Sequence, residues 1–401
     1  MAAHPLTVDA ARGRLELARI VRTHAAALRA EQSLSGAQHK ALRAIEGCRT
    51  AQLGGHMAQC NHCGVQQYHY HSCRNRHCPK CQTLAKERWL QSRRAELLPV
   101  PYFHLVFTLP HEINALAQGN PRLLYGLLFA AASETLIEFG ENPRWLGGRI
   151  AATLVLHTWG QTLTHHPHVH ALVAGGALNA EGGWMAPRRG FLFPVQALSK
   201  VFRGKFLGAL SPWLEQGRLR LAGSTTALAQ PHARRALMGS LRAKPWVVYA
   251  KQSLSGPEQV LDYLGRYTHK TAISNERLLG MDEQGNVRFS YRDRARANQR
   301  KSMQLPAHGF LMRFLTHVLP RGFMRIRHYG LLASRSKRHL LPAVRIALQM
   351  SAPFPVKPES VQAFWLRVAA RDITLCPICR IGHLCMVGSI LPLAPYRARP
   401  P

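Results

Sequence analysis

Acidic residues are scarce in this chain: its 401 residues carry 20 Asp and Glu against 53 Lys and Arg, a formal net charge of +33 at pH 7. The basic excess runs along the whole length, which excludes a single charged tail and predicts a polyanionic partner, of which nucleic acid is the usual one. A metallohydrolase of small substrates would leave that charge unexplained. Long hydrophobic runs are also missing. The densest, LLYGLLFAAA at 123–132, is too short to span a bilayer, and no secretory-type leader opens the chain, so a cytoplasmic protein without a membrane partner is expected. Internal repeats are absent, and the low-complexity sequence is confined to an Arg- and Pro-rich tail. The hydrophobic share of 46% suffices for a buried core in two or three domains.

Cysteine, by contrast, is present and clustered. Six of nine cysteines lie between 48 and 81 and three between 376 and 385, and CxxC spacing in a reducing compartment argues for metal before disulfides. CNHC at 60–63 and CPKC at 78–81 form a pair of knuckles, so Cys60, Cys63, Cys78 and Cys81 are the expected ligands of a structural zinc, with Cys73 and His77 as alternates. CPICRIGHLC offers Cys376, Cys379, His383 and Cys385 for a second, smaller site.

Periodicity predicts one or two helices over 9–46, a helix over 82–98 ending before Pro99 and Pro101, a buried strand YFHLVFTL at 102–109 and a long helix over 120–140. AATLVLHTWGQ and HVHALVAGGAL read as two strands joined by TLTHHP, in an antiparallel sheet. A helical stretch follows at 195–210, another helix begins at Gly256 and Pro257, and RLLGMDEQGNVRFSYRD reads as a hairpin.

On a strand, residues two apart share a face, so His168 and His170 project together while Val169 enters the core. That is a two-imidazole metal grip. A third ligand is sought in Gln161, at the end of the preceding strand, with His165 and His166 of the connection as competitors. In YLGRYTHK, Tyr263 and Tyr267 stack one helical turn apart with Lys270 a turn further on. A tyrosine is a competent nucleophile toward a phosphodiester when its phenol is deprotonated and a cation neutralises the phosphate.

FHLVFTLP, GQTLTHHPHVHALV and YLGRYTHK, in this order, resemble the three motifs of HUH endonucleases, and the chain from about 45 to 385 is similar to the rolling-circle transposases of the insertion sequence ninety-one family. SCRNRHCPKCQ resembles that family's zinc-binding domain and FLMRFLTHVLPRGFMRIRHYGLLA its later core segment. The resemblance implies an α+β fold: a nuclease domain with a central antiparallel sheet and flanking helices, an N-terminal zinc module and a small C-terminal knuckle. The corresponding division is 1–47, an N-terminal helical segment; 48–98, zinc-binding domain with following helix; 99–345, nuclease; and 346–401, a basic region with the CxxC knuckle.

It also implies that His168, His170 and Gln161 hold Mg2+ or Mn2+ against the scissile phosphate of single-stranded DNA. One of Tyr263 and Tyr267 would attack to leave a 5'-phosphotyrosine and a free 3'-hydroxyl, with Lys270 close to the developing charge. The expected setting is a bacterial cell, in association with the nucleoid. Between 288 and 345 there are 14 Lys and Arg and one acidic residue; Tyr291 with Arg292, Arg294, Arg296, Arg300 and Lys301 is the expected DNA contact, whereas Phe310 and Phe314, at helical spacing, are expected in the core. Two other readings remain at this point: a plasmid replication initiator or relaxase with the same chemistry, and a non-catalytic zinc-dependent DNA-binding protein.

Overall fold

The computed structural model describes residues 14–187, 191–253, 259, 260, 263, 265, 268, 269, 271–293, 296–351 and 359–393. The helix start expected at Gly256 and Pro257 lies outside them. The α+β expectation holds: three antiparallel sheets are packed with helices.

The largest sheet has the order β11 (Ile326–Gly330), β4 (Arg149–Trp159), β5 (His165–Leu178), β3 (Tyr102–Thr108) and β7 (Val248–Ser253), with β6 (Trp184–Met185) added to β5. Alternation divides its faces. Phe103, Leu105 and Phe107 of β3, Ala152, Leu154 and Leu156 of β4, and Val169, Ala171 and Val173 of β5 all enter one apolar core. That core is closed by α5 (Pro121–Glu141) and α6 (Val195–Glu215), after the short α4 (Asn114–Gly119), and is extended by α7 (Pro231–Ala243).

Helix α5 starts with Pro121 in its first turn, where a missing N–H costs nothing, and it is apolar nearly all round, as a core helix must be. The run at 123–132 sits inside the long helix expected over 120–140. It is the one described helix long and apolar enough to cross a membrane, and 67% of its most apolar window is buried inside the protein.

The opposite face of the sheet is mixed along its length. Tyr102, Ala151, Leu172 and Ala174 cluster with Val260, Leu331 and residues Leu341 and Val344 of a later helix, Ser334–Ala347. Toward the β4–β5 turn the same face carries histidines.

Two further sheets flank this one. Helices α1 (Leu17–Glu31) and α2 (Gly36–Glu46) precede the first, β12 (Leu384–Ile390), β1 (Gly55–Cys60) and β2 (Gln66–Tyr70), which leads into α3 (Gln82–Arg94). In α1, Leu17, Ile20, Val21 and Leu28 form the buried stripe. Ser35 caps α2 reciprocally with Gln38. Both helices pack on the other sheet, β8 (Leu278–Met281), β9 (Asn286–Asp293) and β10 (Gln299–Pro306), and on α8 (Ala307–Leu315), around Phe289, Phe310 and Phe314. The expected β8–β9 hairpin is present, its turn closed by Asp282 accepting from the Asn286 N–H at 2.7 Å. After α9 (Ser334–Ala347) and α10 (Val361–Ala369), β12 returns to pair with β1, the strand begun at residue 55.

Two histidines brace the β4–β5 turn from the core side. His317 Nε2 donates to the Leu163 carbonyl at 3.1 Å and its Nδ1 accepts from Thr158 Oγ1 at 3.2 Å; His165 Nε2 meets the Tyr125 hydroxyl at 2.8 Å. Burial pushes His317 down to about 4 and His165 to about 3, so both stay neutral in the fold. An unfolded chain protonates them near the ordinary value of 6.5. Between that value and about pH 4 the unfolded state binds more protons, and each histidine then costs about 1.4 kcal/mol of stability per pH unit of acidification. Urea midpoints measured at pH 7 and pH 5 should show this loss, and His317→Gln, which keeps a donor and an acceptor but does not titrate, should reduce it by the share of one histidine.

Candidate metal and nucleophile site

The register of β4 against β5 sets His157 directly across from His168, and β3 lies on the other side of β5 with Val106 opposite His170. Residues facing each other across an antiparallel pair share a face. His157, His168 and His170 therefore converge, each offering a ring nitrogen, and the three donor atoms lie within 4.8 Å of one another. His157 thus joins the expected pair as a third imidazole. Gln161 sits in the turn beyond the paired region, where its side-chain oxygen accepts from the Arg292 N–H at 3.4 Å. The competitors separate by parity: His165 points to the core side against Tyr125, while His166 stays beside His168, ring centroids 5.1 Å apart.

A second row of contacts orients these rings. His168 Nδ1 meets the His166 carbonyl at 2.6 Å, which requires Nδ1–H and makes Nε2 the ligand atom. His170 Nδ1 meets His104 Nε2 at 2.9 Å, with the two rings stacked at 5.2 Å. His104, from β3, is buried; that burial and the nearby Lys251 charge push it down to about 4, so it faces His170 as a neutral ring. Three imidazoles fit one ion at bonds of about 2.1 Å, for which donor atoms stand roughly 3–4 Å apart. The donor set holds no carboxylate and is softer than Mg2+ prefers.

Tyr263 stands next to this row. Its ring meets that of His104 edge-on, centroids 4.7 Å apart. Tyr267 and Lys270 lie outside the described residues. The tyrosine segment is held from two directions. Helix α3 approaches so closely that a Cβ on Gly265 would stand 3.1 Å from Leu90, and Trp89 packs against His269 at 5.8 Å. From the sheet side the buried Arg325 donates to the Thr268 carbonyl at 2.5 Å.

The cysteines sort differently from their spacing. Cys48, Cys73, Cys78 and Cys81 form one cluster, and Cys60, Cys63, Cys376 and Cys379 another. The set expected from the two knuckles is thus split, because β1 pairs with β12 up to Cys60↔Leu384, which brings the C-terminal knuckle beside Cys60 and Cys63, and the chain between the two N-terminal knuckles spans β2. In the first cluster, sulfurs stand 3.5 Å (Cys48–Cys81), 3.6 Å (Cys73–Cys81) and 3.7 Å (Cys48–Cys78) apart. Four thiolates at about 2.3 Å around one zinc would be about 3.8 Å from each other, so the geometry fits. Contacts from Cys73 and Cys78 hold the Cys48 thiol down to about 7.

Cys73 is thus a cluster member, whereas His77 is not. Burial and then the charges of Arg76 and Arg325 push His77 down to about 3, and its neighbour Arg76 donates to the carbonyls of Phe323 and Pro320 at 2.7 and 3.1 Å. His383 and Cys385 also stay outside: both are exposed, and His383 Nδ1 contacts Thr374 Oγ1 at 3.1 Å.

On the β9–β10 hairpin, Arg292, Arg296 and Arg300 are exposed, Tyr291 is half-buried and Lys301 pairs with Asp293 at 2.7 Å; Arg294 lies outside the described residues. Phe310 and Phe314 are core, as expected.

With this geometry in hand, comparison with known proteins is informative. A family described as "Putative transposase" matches residues 151–339, and one described as "Transposase zinc-binding domain" matches residues 20–109. The first range contains the three histidines and the tyrosine segment; the second contains the whole first cysteine cluster but stops well before Cys376. The chain is 45% identical over 379 residues, 93% of its length and 95% of the relative's, to the Sinorhizobium fredii protein "Putative transposase y4qJ". It is 30% identical over 315 residues, 77% of its length and 73% of the relative's, to the Pseudomonas savastanoi pv. phaseolicola "Transposase for insertion sequence element IS801". No solved structure matches the chain. The first cluster makes a direct prediction: Cys48→Ser, although outside any CxxC, should lower bound zinc by one ion per chain in elemental analysis, while Cys385→Ser leaves the metal content unchanged.

Proposed function

Because the chain belongs to the insertion sequence ninety-one family of transposases, with an N-terminal zinc-binding domain, we propose that it cuts and rejoins single-stranded DNA at the ends of its element by tyrosine transesterification, in rolling-circle transposition. The observation that carries this reading is the convergence of three imidazoles on the β4–β5 hairpin with a tyrosine ring 4.7 Å from His104, the ring that bonds His170.

His157, His168 and His170 would hold Mn2+ or Mg2+. When bound, such an ion polarises a non-bridging phosphate oxygen and lowers the charge barrier to attack. Tyr263 or Tyr267 then supplies the nucleophile: its phenol loses a proton to solvent or a base, the phenolate oxygen bonds to phosphorus, and the bond from phosphorus to the 3'-oxygen breaks. The products are a 5'-phosphotyrosine and a 3'-hydroxyl, which takes up the proton. No external energy source is needed, since one phosphodiester is exchanged for another. Attack by the 3'-hydroxyl of another end reverses the step and joins strands, while the second tyrosine could hold the other end. Lys270 is placed by sequence to offset phosphate charge, and the exposed Arg292, Arg296 and Arg300 supply backbone contacts along the strand. Structural zinc in the N-terminal module would carry no open coordination position for substrate.

The test is a denaturing gel of the purified protein with Mn2+ and end-labelled single-stranded oligonucleotides spanning the element ends. A covalent adduct on the 3'-labelled fragment, lost in Tyr263→Phe or Tyr267→Phe or in both, is expected; specific binding without adduct or cleavage would sink the enzymatic reading in favour of a DNA-binding protein. Two variants separate direct from indirect roles in the metal site. His157→Ala should abolish cleavage at all Mn2+ concentrations tested. His104→Ala, which removes the ring that bonds His170 and packs against Tyr263 but leaves the three imidazoles in place, should raise the Mn2+ needed for half-maximal cleavage about 10–100-fold.

A further inference from the structure

We propose that Cys60, Cys63, Cys376 and Cys379 bind a second zinc ion, and that this ion clasps the C-terminal segment of the chain onto its N-terminal module. The four sulfurs come from knuckles more than three hundred residues apart, Cys60 facing Cys379 at 3.7 Å and Cys63 facing Cys376 at 3.8 Å. Those separations match the about 3.8 Å edge of a zinc tetrathiolate and are far from the about 2.05 Å of a disulfide. Each knuckle is also built to hold thiolates. The N–H groups of His62 and Cys63 point at Cys60 Sγ at 3.4 and 3.5 Å, and that of Gly382 points at Cys379 Sγ at 3.4 Å. Amide N–H groups aimed at sulfur favour thiolate over thiol at the sulfur they contact.

The two knuckles interlock through their backbones as well. Asn61 N–H donates to the His383 carbonyl at 3.0 Å and His383 N–H to Asn61 Oδ1 at 2.8 Å. Gly382 has no room for a side chain, since a Cβ there would stand 2.5–2.7 Å from His62, Cys60 Sγ and Asn61. From this contact β1 and β12 run on as an antiparallel pair from Cys60↔Leu384 to Gly55↔Ile390.

What requires a metal here is the poverty of everything else. Among residues 359–393 only Phe364, Cys376 and Gly382 are buried, while Ile378, Ile381, Met386, Leu391 and Leu393 are exposed. A segment of this size with almost no core does not hold its fold by hydrophobic burial, and below about 40 residues a metal or disulfide is the usual substitute. Structural zinc supplies folding free energy of that kind, because its ligands are brought together only in the folded chain. Since half the ligands are made late, the N-terminal module completes this zinc site only after residue 379 is made, and its sheet gains its third strand, Leu384–Ile390, later still.

The experiment starts from the full chain carrying a site-specific protease sequence inserted within 352–358. Intact protein should contain two zinc ions and no iron; Cys376→Ser/Cys379→Ser should contain one, and Cys385→Ser two. After cleavage, the C-terminal fragment should stay with the rest on size-exclusion chromatography, should be released by a strong chelator, and should fall away without chelator in Cys376→Ser/Cys379→Ser. Zinc content that stays at two in that double variant, iron in place of zinc, or a fragment that stays bound after the metal is stripped would each overturn the proposal. Should the double variant fail to fold, chelation of the cleaved wild-type protein still decides between metal and strand pairing as the clasp.

Discussion

His157 stands across from His168 because β4 and β5 pair in one register, and the candidate catalytic face depends on that pairing more than on any other contact. A slip of one residue would carry His168 and His170 to the side of α5 and bring Val169 and Ala171 out of the core. The apolar residues on the far face of the same strands resist such a slip, as Val169, Ala171 and Val173 are fully buried against α5 and α6. Core packing on one face thus holds a polar constellation on the other. His317 and His165 extend the constraint to the turn, where hydrogen bonds to Leu163, Thr158 and Tyr125 keep the two strands from fraying at the end that bears the imidazoles.

The zinc module is tied to this face mechanically. Cys81 closes the first cluster and is also the residue from which α3 departs, and α3 carries Trp89 and Leu90 to the tyrosine segment. Gly265, between the two tyrosines of YLGRYTHK, lets that helix come close. Arg76, in the same knuckle, grips the carbonyls ahead of β11, and Arg325 at the entry to β11 grips the tyrosine segment from beneath. The cysteine-clustered module and the tyrosine segment are therefore neighbours in one packed unit, so the zinc-binding domain helps to place Tyr263.

Much of this was legible from residue patterns. HVH at period two on a strand, the hairpin around Asp282, the amphipathic stripe of α1 and the core role of Phe310 and Phe314 follow from periodicity, because alternation and helical spacing are local properties. His157 and His104 were overlooked although each is a lone histidine in an apolar strand. Their value arises only when a neighbouring strand sets them beside His168 and His170, and register between strands is not written in either strand alone. Their signal is parity: His104 alternates with Phe103 and Leu105, and His157 follows Leu154 and Leu156, so both rings fall on the face opposite the apolar core. Gln161 lies in the turn, beyond the last paired residues, Trp159 and His165.

The sequence by itself determined that the chain is basic, α+β, rich in metal-ligand types and similar to a known transposase family, since composition, spacing and motif order survive without any knowledge of contacts. Tertiary structure decided which ligands share an ion. Cysteine spacing suggested that Cys60 and Cys63 meet Cys78 and Cys81; instead β1 pairs with β12, the last strand of the fold, and the CxxC units regroup across the length of the chain. The physical reason is the same for zinc and for histidine: coordination needs donors a few ångströms apart, and that distance is set by long-range strand pairing, which no local pattern contains.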